Sequence, residues 1–209
     1  MTTVSDLTIR TAEPGDIDTL AELLSLAVRD LPAARWLLSE PPLRSRILPY
    51  YLRIHVRHAV RYGTVHLATL AEHKNPVGVA VWLPGVVALP RDYHRQLDLA
   101  IGCLYSGRFA QLDYTLNRAH PDERDHEYLV CAAVTPNQQR EGIGAALLAG
   151  RHADLDQARR PAYAVAPSPA CQDWYQRLGY HSLGQPISLP GRAEPAMWPM
   201  WRYPLPINA

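Results

Sequence analysis

Lysine is almost missing from this chain: Lys74 is the only one, so nearly every positive side chain is an arginine. That bias is read as codon usage rather than selection for phosphate recognition, and it carries no functional weight. A charge excess of either sign is missing too. With 21 basic and 20 acidic residues the formal net charge is +1, which removes the global bias expected of a protein that binds nucleic acid or anionic membrane. Cysteine is scarce and odd in number. Cys103, Cys131 and Cys171 form no Cys-x-x-Cys pair, so no disulfide framework or zinc cluster is indicated, and reduced thiols are expected. No stretch approaches the roughly 20 apolar residues of a membrane span, and the opening MTTVSDLTIR lacks the basic and then apolar pattern of an export signal. The expectation is a cytoplasmic protein with no metal, membrane or nucleic-acid partner. Internal repeats and low-complexity tracts are likewise absent. A length of 209 residues with 47% hydrophobic content suits one domain over 1–209.

What is present reads as alternating strands and helices. Residues 7–11 alternate as a short strand, and after Pro14-Gly15-Asp16 the spacing of Ile17, Leu20, Leu23, Leu24 and Ala27 predicts an amphipathic helix. A second helix is predicted over 43–62, with Ile47, Tyr50, Tyr51, Ile54 and Ala59 as its buried stripe and Gly63 as its end. Two β-rich runs, 64–71 and 77–83, flank an Asn75-Pro76 turn and predict a hairpin. The stretch 84–121 has mixed signals and is read as a helical or irregular insert. Residues 128–134, YLVCAAV, are continuously apolar, as in a central strand covered on both faces. Residues 142–158 read as a helix with Ile143, Ala146, Leu147, Gly150 and Leu155 facing a sheet. A strand over 162–166, a helix over 170–178 and closing strands near 180–183 and 197–203 complete the pattern, with a hairpin loop around 185–195.

The segment with chemical content is the apolar strand, then TPNQQREGIGAALL, then helix. Gly142 and Gly144 stand where a helix begins, so main-chain N–H groups without helical partners face any ligand there and the dipole is positive. Such a turn suits an anion, with Gln139 and Arg140 as additional donors. A P-loop needs a lysine that is not there, and a dinucleotide fingerprint needs a third glycine where Leu147 stands. An ordinary glycine-started helix remains open on these residues alone.

Gln139-Arg140-Glu141-Gly142-Ile143-Gly144 resembles the Q/R-x-x-G-x-G/A signature of the GCN5-related N-acetyltransferase (GNAT) superfamily. Trp174-Tyr175-Gln176-Arg177-Leu178-Gly179-Tyr180 resembles that family's F-Y-x-x-x-G-F segment, in the expected order downstream. The resemblance implies a single α/β (α+β) domain whose mostly antiparallel sheet has splayed central strands and flanking helices. It implies acetyl-CoA as co-substrate. Ala132, Ala133 and Val134 match the strand that pairs with the pantetheine arm. Gln139, Arg140, Glu141, Gly142, Ile143, Gly144 and Ala145 match the pyrophosphate loop. Tyr175 matches the tyrosine that protonates the departing thiolate, a role that suits a phenol; without the resemblance it reads as a core aromatic beside Trp174. Cys171 stands where many members carry asparagine, which removes one hydrogen bond to the co-substrate.

Attack on a thioester needs a neutral amine, so a base or water chain is expected. Glu127 is the first candidate, at the mouth of the central strand, and His126 the second, because an imidazole titrates near neutrality. Neither Cys131 nor Cys171 has an activating cation nearby in sequence, so direct transfer in a ternary complex is expected, with strand N–H groups polarising the carbonyl. Val79-Ala80-Val81-Trp82-Leu83-Pro84, the insert and His120-Pro121 resemble the puromycin-type antibiotic acetyltransferases. That likeness implies a small-molecule amine held near Trp82, with Asp122, Glu123, Asp125 and Glu127 supplying negative charge. A protein or peptide acceptor and a non-catalytic acyl-CoA sensor stay open, as do monomer and homodimer.

Overall fold

The structure, a computed structural model, describes residues 7–85, 90–122 and 125–206. Strand β1 (Leu7–Thr11) leads into helix α1 (Ile17–Val28). The apolar stripe of α1 turns inward as its spacing requires, with Leu20 and Leu24 fully buried, each such side chain contributing about 1.5–3 kcal/mol. A short helix that periodicity did not signal follows, α2 (Pro32–Leu37), starting at a proline suited to a first helical position. Helix α3 (Pro41–Tyr62) buries Ile47, Tyr51, Ile54 and Ala59. Tyr50, predicted in that stripe, is instead half exposed; one residue is about 100° of helix, which carries it off the face set by Ile47, Tyr51 and Ile54.

Strands β2 (Thr64–Leu70) and β3 (Gly78–Pro84) form the predicted antiparallel hairpin, with Leu67 opposite Val79. The insert proves to be two helices, α4 (Tyr93–Ile101) and α5 (Cys103–Arg118), interrupted at Gly102. Then come β4 (Glu127–Val134), α6 (Ile143–Gln157), β5 (Ala162–Ala166), α7 (Pro169–Arg177), β6 (Tyr180–Ser182), β7 (Ile187–Ser188) and β8 (Pro195–Arg202).

The strands form one sheet in the order β1-β2-β3-β4-β5-β8-β6, with β7 on β8. Every pairing is antiparallel except that of β4 with β5. Helices α1, α3, α4 and α5 cover the face that carries Val79, Val81 and Ala133. Helices α6 and α7 cover the other, packing Leu147, Leu148 and Tyr175 on Ala80, Trp82, Leu129 and Ala164. The continuous apolar run of β4 is thereby explained, since both its faces are buried. Gly150, read as part of the packing face of α6, is exposed, and Leu148 packs there instead.

Candidate functional site

The site begins where two parallel strands part. Strand β4 pairs with β5 only at Glu127–Ala162, Tyr128–Tyr163 and Leu129–Ala164. Beyond Leu129 it stays paired to β3, with Ala132 opposite Ala80 and Val134 opposite Gly78. Strand β5 keeps to β8 instead, with Val165 opposite Pro199 and Ala166 opposite Trp198. A register irregularity between Val81 and Trp82 marks the point of divergence, where an extra residue bends a strand and increases its twist. The main chain of residues 130–134 is left open along the β5 edge, flanked by the small side chains of Ala132 and Ala133. An edge of unpaired N–H and C=O groups is a template for an extended ligand.

The loop that leaves β4 is shaped by three local devices. A single 3₁₀ turn (Pro136–Gln138) reverses the chain. Gln139 then donates from Nε2 to the Val134 carbonyl at 3.0 Å, closing the loop on the strand it came from. Arg140 has φ +68° and Gly142 φ +82°; for arginine the left-handed region costs about 1–3 kcal/mol, of the kind stored at ligand sites. Gly142 caps α6 with no side-chain bond, so the first-turn N–H groups open outward. A Cβ on Gly144 would lie 3.1 Å from the Trp174 ring, so a glycine is what lets α7 approach α6 this closely. Glu141 is exposed, Ile143 anchors the turn in the core, and Ala145 follows in the first turn. Arg140 makes no hydrogen bond or ion pair among the described residues. The predicted loop residues are thus gathered around one open helix end.

Helix α7 presents Tyr175 to the same edge. Ser168 caps it, its Oγ accepting from the Cys171 N–H at 3.2 Å, and Cys171 is half buried. Tyr175 is buried, and its ring lies 5.1 Å from that of Tyr180. Burial, then the neighbouring groups of Tyr180, Cys171, Cys131 and Tyr128, push its phenol well above the ordinary tyrosine range. It therefore keeps its proton near neutral pH. Tyr175 packs in the same apolar cluster as Leu129, against which Ala132 and Val134 of β4 also pack, so its ring lies by the parted strand. Burial likewise pushes the Cys131 thiol up to about 12, so it is not a thiolate nucleophile near neutral pH.

Other predicted residues lie elsewhere. Glu127 is 1% exposed in the closed part of the β4–β5 pair. Its Oε1 accepts from Arg151 at 2.6 Å and its Oε2 lies 3.3 Å from Arg160, so the carboxylate ties β4 to α6. His126 is fully buried, its Nε2 2.9 Å from that of His120, whose Nε2 also lies 2.6 Å from the Gly85 carbonyl oxygen. Of the acidic run, Asp125 pairs with Arg160 at 3.0 Å and Glu127 is buried against Arg151 and Arg160, and Glu123 lies outside the described residues. Trp82, predicted to wall the acceptor pocket, is fully buried against His152 on the α6 face; alternation along β3 points it away from the insert.

One polar cluster was missed by the sequence reading. Asp113 of α5 is buried and accepts from Tyr51 of α3 and Tyr93 of α4. The available signal was an acid on the apolar face of α5, beside Phe109 and Leu112.

Residues 121–191 match the family model of the acetyltransferase (GNAT) domain. A structure described as histone acetyltransferase HPA2 and related acetyltransferase from Corynebacterium glutamicum is 22% identical, with TM-score 0.73 over 98% of this chain and 99% of that one. Arylalkylamine N-acetyltransferase 2 from Aedes aegypti is 12% identical, with TM-score 0.61 over 95% and 99%. PaiA N-acetyltransferase from Thermoplasma acidophilum, in complex with coenzyme A, is 9% identical with TM-score 0.57 over 94% and 98%. These likenesses establish a shared fold. No curated protein matches the chain.

Proposed function

We propose, from the match of residues 121–191 to the GNAT acetyltransferase domain, that the chain moves an acetyl group directly from acetyl-CoA to the primary amine of a small molecule. The observation that carries this reading is the open main chain of residues 130–134 running into the glycine-started α6. The residues fit the co-substrate on three counts. The parted strand offers an unpaired edge for an amide-bearing arm, the helix end offers N–H groups for a pyrophosphate, and the exposed Arg140 offers a charge-assisted donor. Acetyl-CoA when bound supplies an activated thioester.

The chain's own groups do the rest. N–H groups of 130–134 orient and polarise the thioester carbonyl. As the C–N bond forms and the C–S bond breaks, Tyr175 donates its proton to the departing sulfur, and the proton released by the amine nitrogen reprotonates the phenolate through solvent. The similar Aedes protein is an arylalkylamine acetyltransferase by description, which supports a small amine over a polypeptide as acceptor. The proposal includes a cytoplasmic setting, which suits the free cysteines 103, 131 and 171.

Calorimetric titration of acetyl-CoA, paired with thiol release on a panel of primary amines, tests the reading. Binding together with amine-dependent release supports it. Binding without turnover on any amine or peptide would make the protein an acyl-CoA sensor, and absence of binding would remove the reading altogether.

A further inference from the structure

The two buried carboxylates among the described residues differ in kind: Glu127 is engaged by Arg151 and Arg160, just as the half-buried Asp156 is held by both terminal nitrogens of Arg202 at 2.7 Å. Asp113 has no such partner. It is 7% exposed, yet no arginine or lysine among the described residues touches it. Its Oδ1 accepts from the Tyr51 hydroxyl at 2.6 Å and its Oδ2 from the Tyr93 hydroxyl. Both of its oxygens are thus engaged by hydroxyl groups and neither by a cationic nitrogen of arginine or lysine. The one basic group near it is His55, whose Nε2 lies 4.0 Å from Oδ1 and 3.3 Å from the Tyr93 oxygen. Burial lowers the basicity of that imidazole more than Asp113 raises it. A desolvated anion with no fixed counter-charge is costly, and a bound cation relieves that cost.

The surroundings describe the cation. Asp113 borders a cleft of about 430 Å³ between α4 and α5, lined mostly by apolar surface and including Tyr93, His94, Ala110 and Tyr114. Tyr51 packs on Phe109 with ring centroids 4.7 Å apart, and His55 and Tyr93 complete an aromatic collar. Aromatic faces attract an organic cation, and their edges accept a second ring. The cluster also stands toward β4: Tyr51, Tyr93 and Phe109 belong to the apolar cluster against which Val130 and Cys131 of that strand pack.

We infer that Asp113, held by Tyr51 and Tyr93, is the specificity-determining residue that recognises the ammonium group of an aromatic amine acceptor. The inference deepens the acetyl-transfer reading and rests on it for the fate of the amine. Tyr51 and Tyr93 aim the carboxylate by donating to it, which leaves its remaining lone pairs for the ligand. The acceptor class is then an arylalkylamine that binds in its ammonium form and releases one proton to solvent before the neutral nitrogen attacks.

The test compares 2-phenylethylammonium with the uncharged 2-phenylethanol, titrated calorimetrically near neutral pH into the protein saturated with coenzyme A. Wild type should prefer the ammonium by about tenfold or more, as a charge-assisted contact at a buried site implies. Asp113→Asn keeps the volume and the oxygen that accepts from a phenol, and should bind the two ligands alike with unchanged acetyl-CoA affinity. Equal binding of the two by wild type, or binding of neither, overturns the inference without need of any variant. So does a preference that survives in Asp113→Asn. Acetyl-CoA titrated alone separates the two proposals: if it binds and the amine is read without regard to charge, only the role of Asp113 fails, whereas if it does not bind, the transferase reading fails first.

Discussion

Gln139 reaches back across the loop to the Val134 carbonyl, Nε2 to O at 3.0 Å, and so fastens the end of β4 to the start of the helix-capping turn. The side chain, expected from sequence to be a rim donor for the ligand, is instead engaged in shaping the loop. Gln139→Ala should therefore weaken acetyl-CoA binding by about tenfold, the worth of one hydrogen bond plus the freedom returned to the loop. Thermal stability should change little, because the residue is exposed. Calorimetry beside a melting curve checks both halves.

Tyr175 is buried with its phenol raised well above the usual range, first by desolvation. The neutral donor is then present throughout the accessible alkaline range. Tyr175→Phe should lower kcat by about a hundredfold or more while leaving acetyl-CoA affinity in place. In wild type the rate should show no loss from tyrosine ionisation as pH rises to about 10. A wild-type descending limb near that pH which the phenylalanine variant lacks would show a less buried acid than this one.

Glu127 gives the opposite expectation to a base. Its carboxylate touches Arg151 and Arg160 at 1% exposure. Glu127→Gln leaves Arg151 and Arg160 only the exposed Asp154 and Asp125 as counter-charges and should cost about 3 kcal/mol of stability. The pH profile of amine acetylation should keep its shape. A changed acidic limb with unaltered unfolding midpoint would return Glu127 to the reaction.

The parts of the site that were legible are those contiguous in sequence. Gln139 to Ala145 form one loop and Trp174 to Tyr180 one helix end, so spacing alone preserves their geometry. Strand β4 was legible because both its faces are buried, which leaves an uninterrupted apolar run. The pairing of Glu127 was not, because the acid is 24 residues from Arg151 and only the packing of α6 on the sheet brings them together. Asp113 was hidden for a similar reason: Tyr51, Tyr93 and Asp113 come from three helices, and the two in the insert carry short, mixed apolar patterns. Trp82 shows the limit of local likeness, since a match in sequence does not say which face of a strand meets the insert.

Cysteine chemistry offers a direct probe of the open strand. Burial pushes Cys131 up to about 12, whereas Cys103 is exposed at the start of α5. Iodoacetamide at about pH 8 should label Cys103 first and leave Cys131 unmodified, because reactivity follows the thiolate fraction. Mass spectrometry of the digested protein gives the order. Early labelling of Cys131 would mean that its thiol is solvated along the parted edge, and would reopen a covalent route.

The acid limit of the fold should be set in part at the far end of the sheet. Arg202 of β8, 4% exposed, grips Asp156 of α6 through two bonds of 2.7 Å, and the Leu205 N–H adds a third at 2.8 Å. Hydrogen bonding to Arg202 holds the Asp156 carboxyl below the usual carboxylate range, against a smaller opposing effect of burial. The folded state therefore releases this proton more readily than the unfolded chain, whose value is about 3.9. The resulting stabilisation is complete above about pH 5 and is lost as pH falls through the folded value. Asp156→Asn leaves Arg202 without its anion and should cost about 2 kcal/mol near neutral pH, lowering the midpoint by about 4–8 °C. The gap between wild type and variant should then close on acidification, because protonation removes from wild type the same charge that the amide removes. Urea melts of the two proteins across that range decide it: a gap that stays constant below about pH 4 would show that the cost of the variant comes from packing and not from the ion pair.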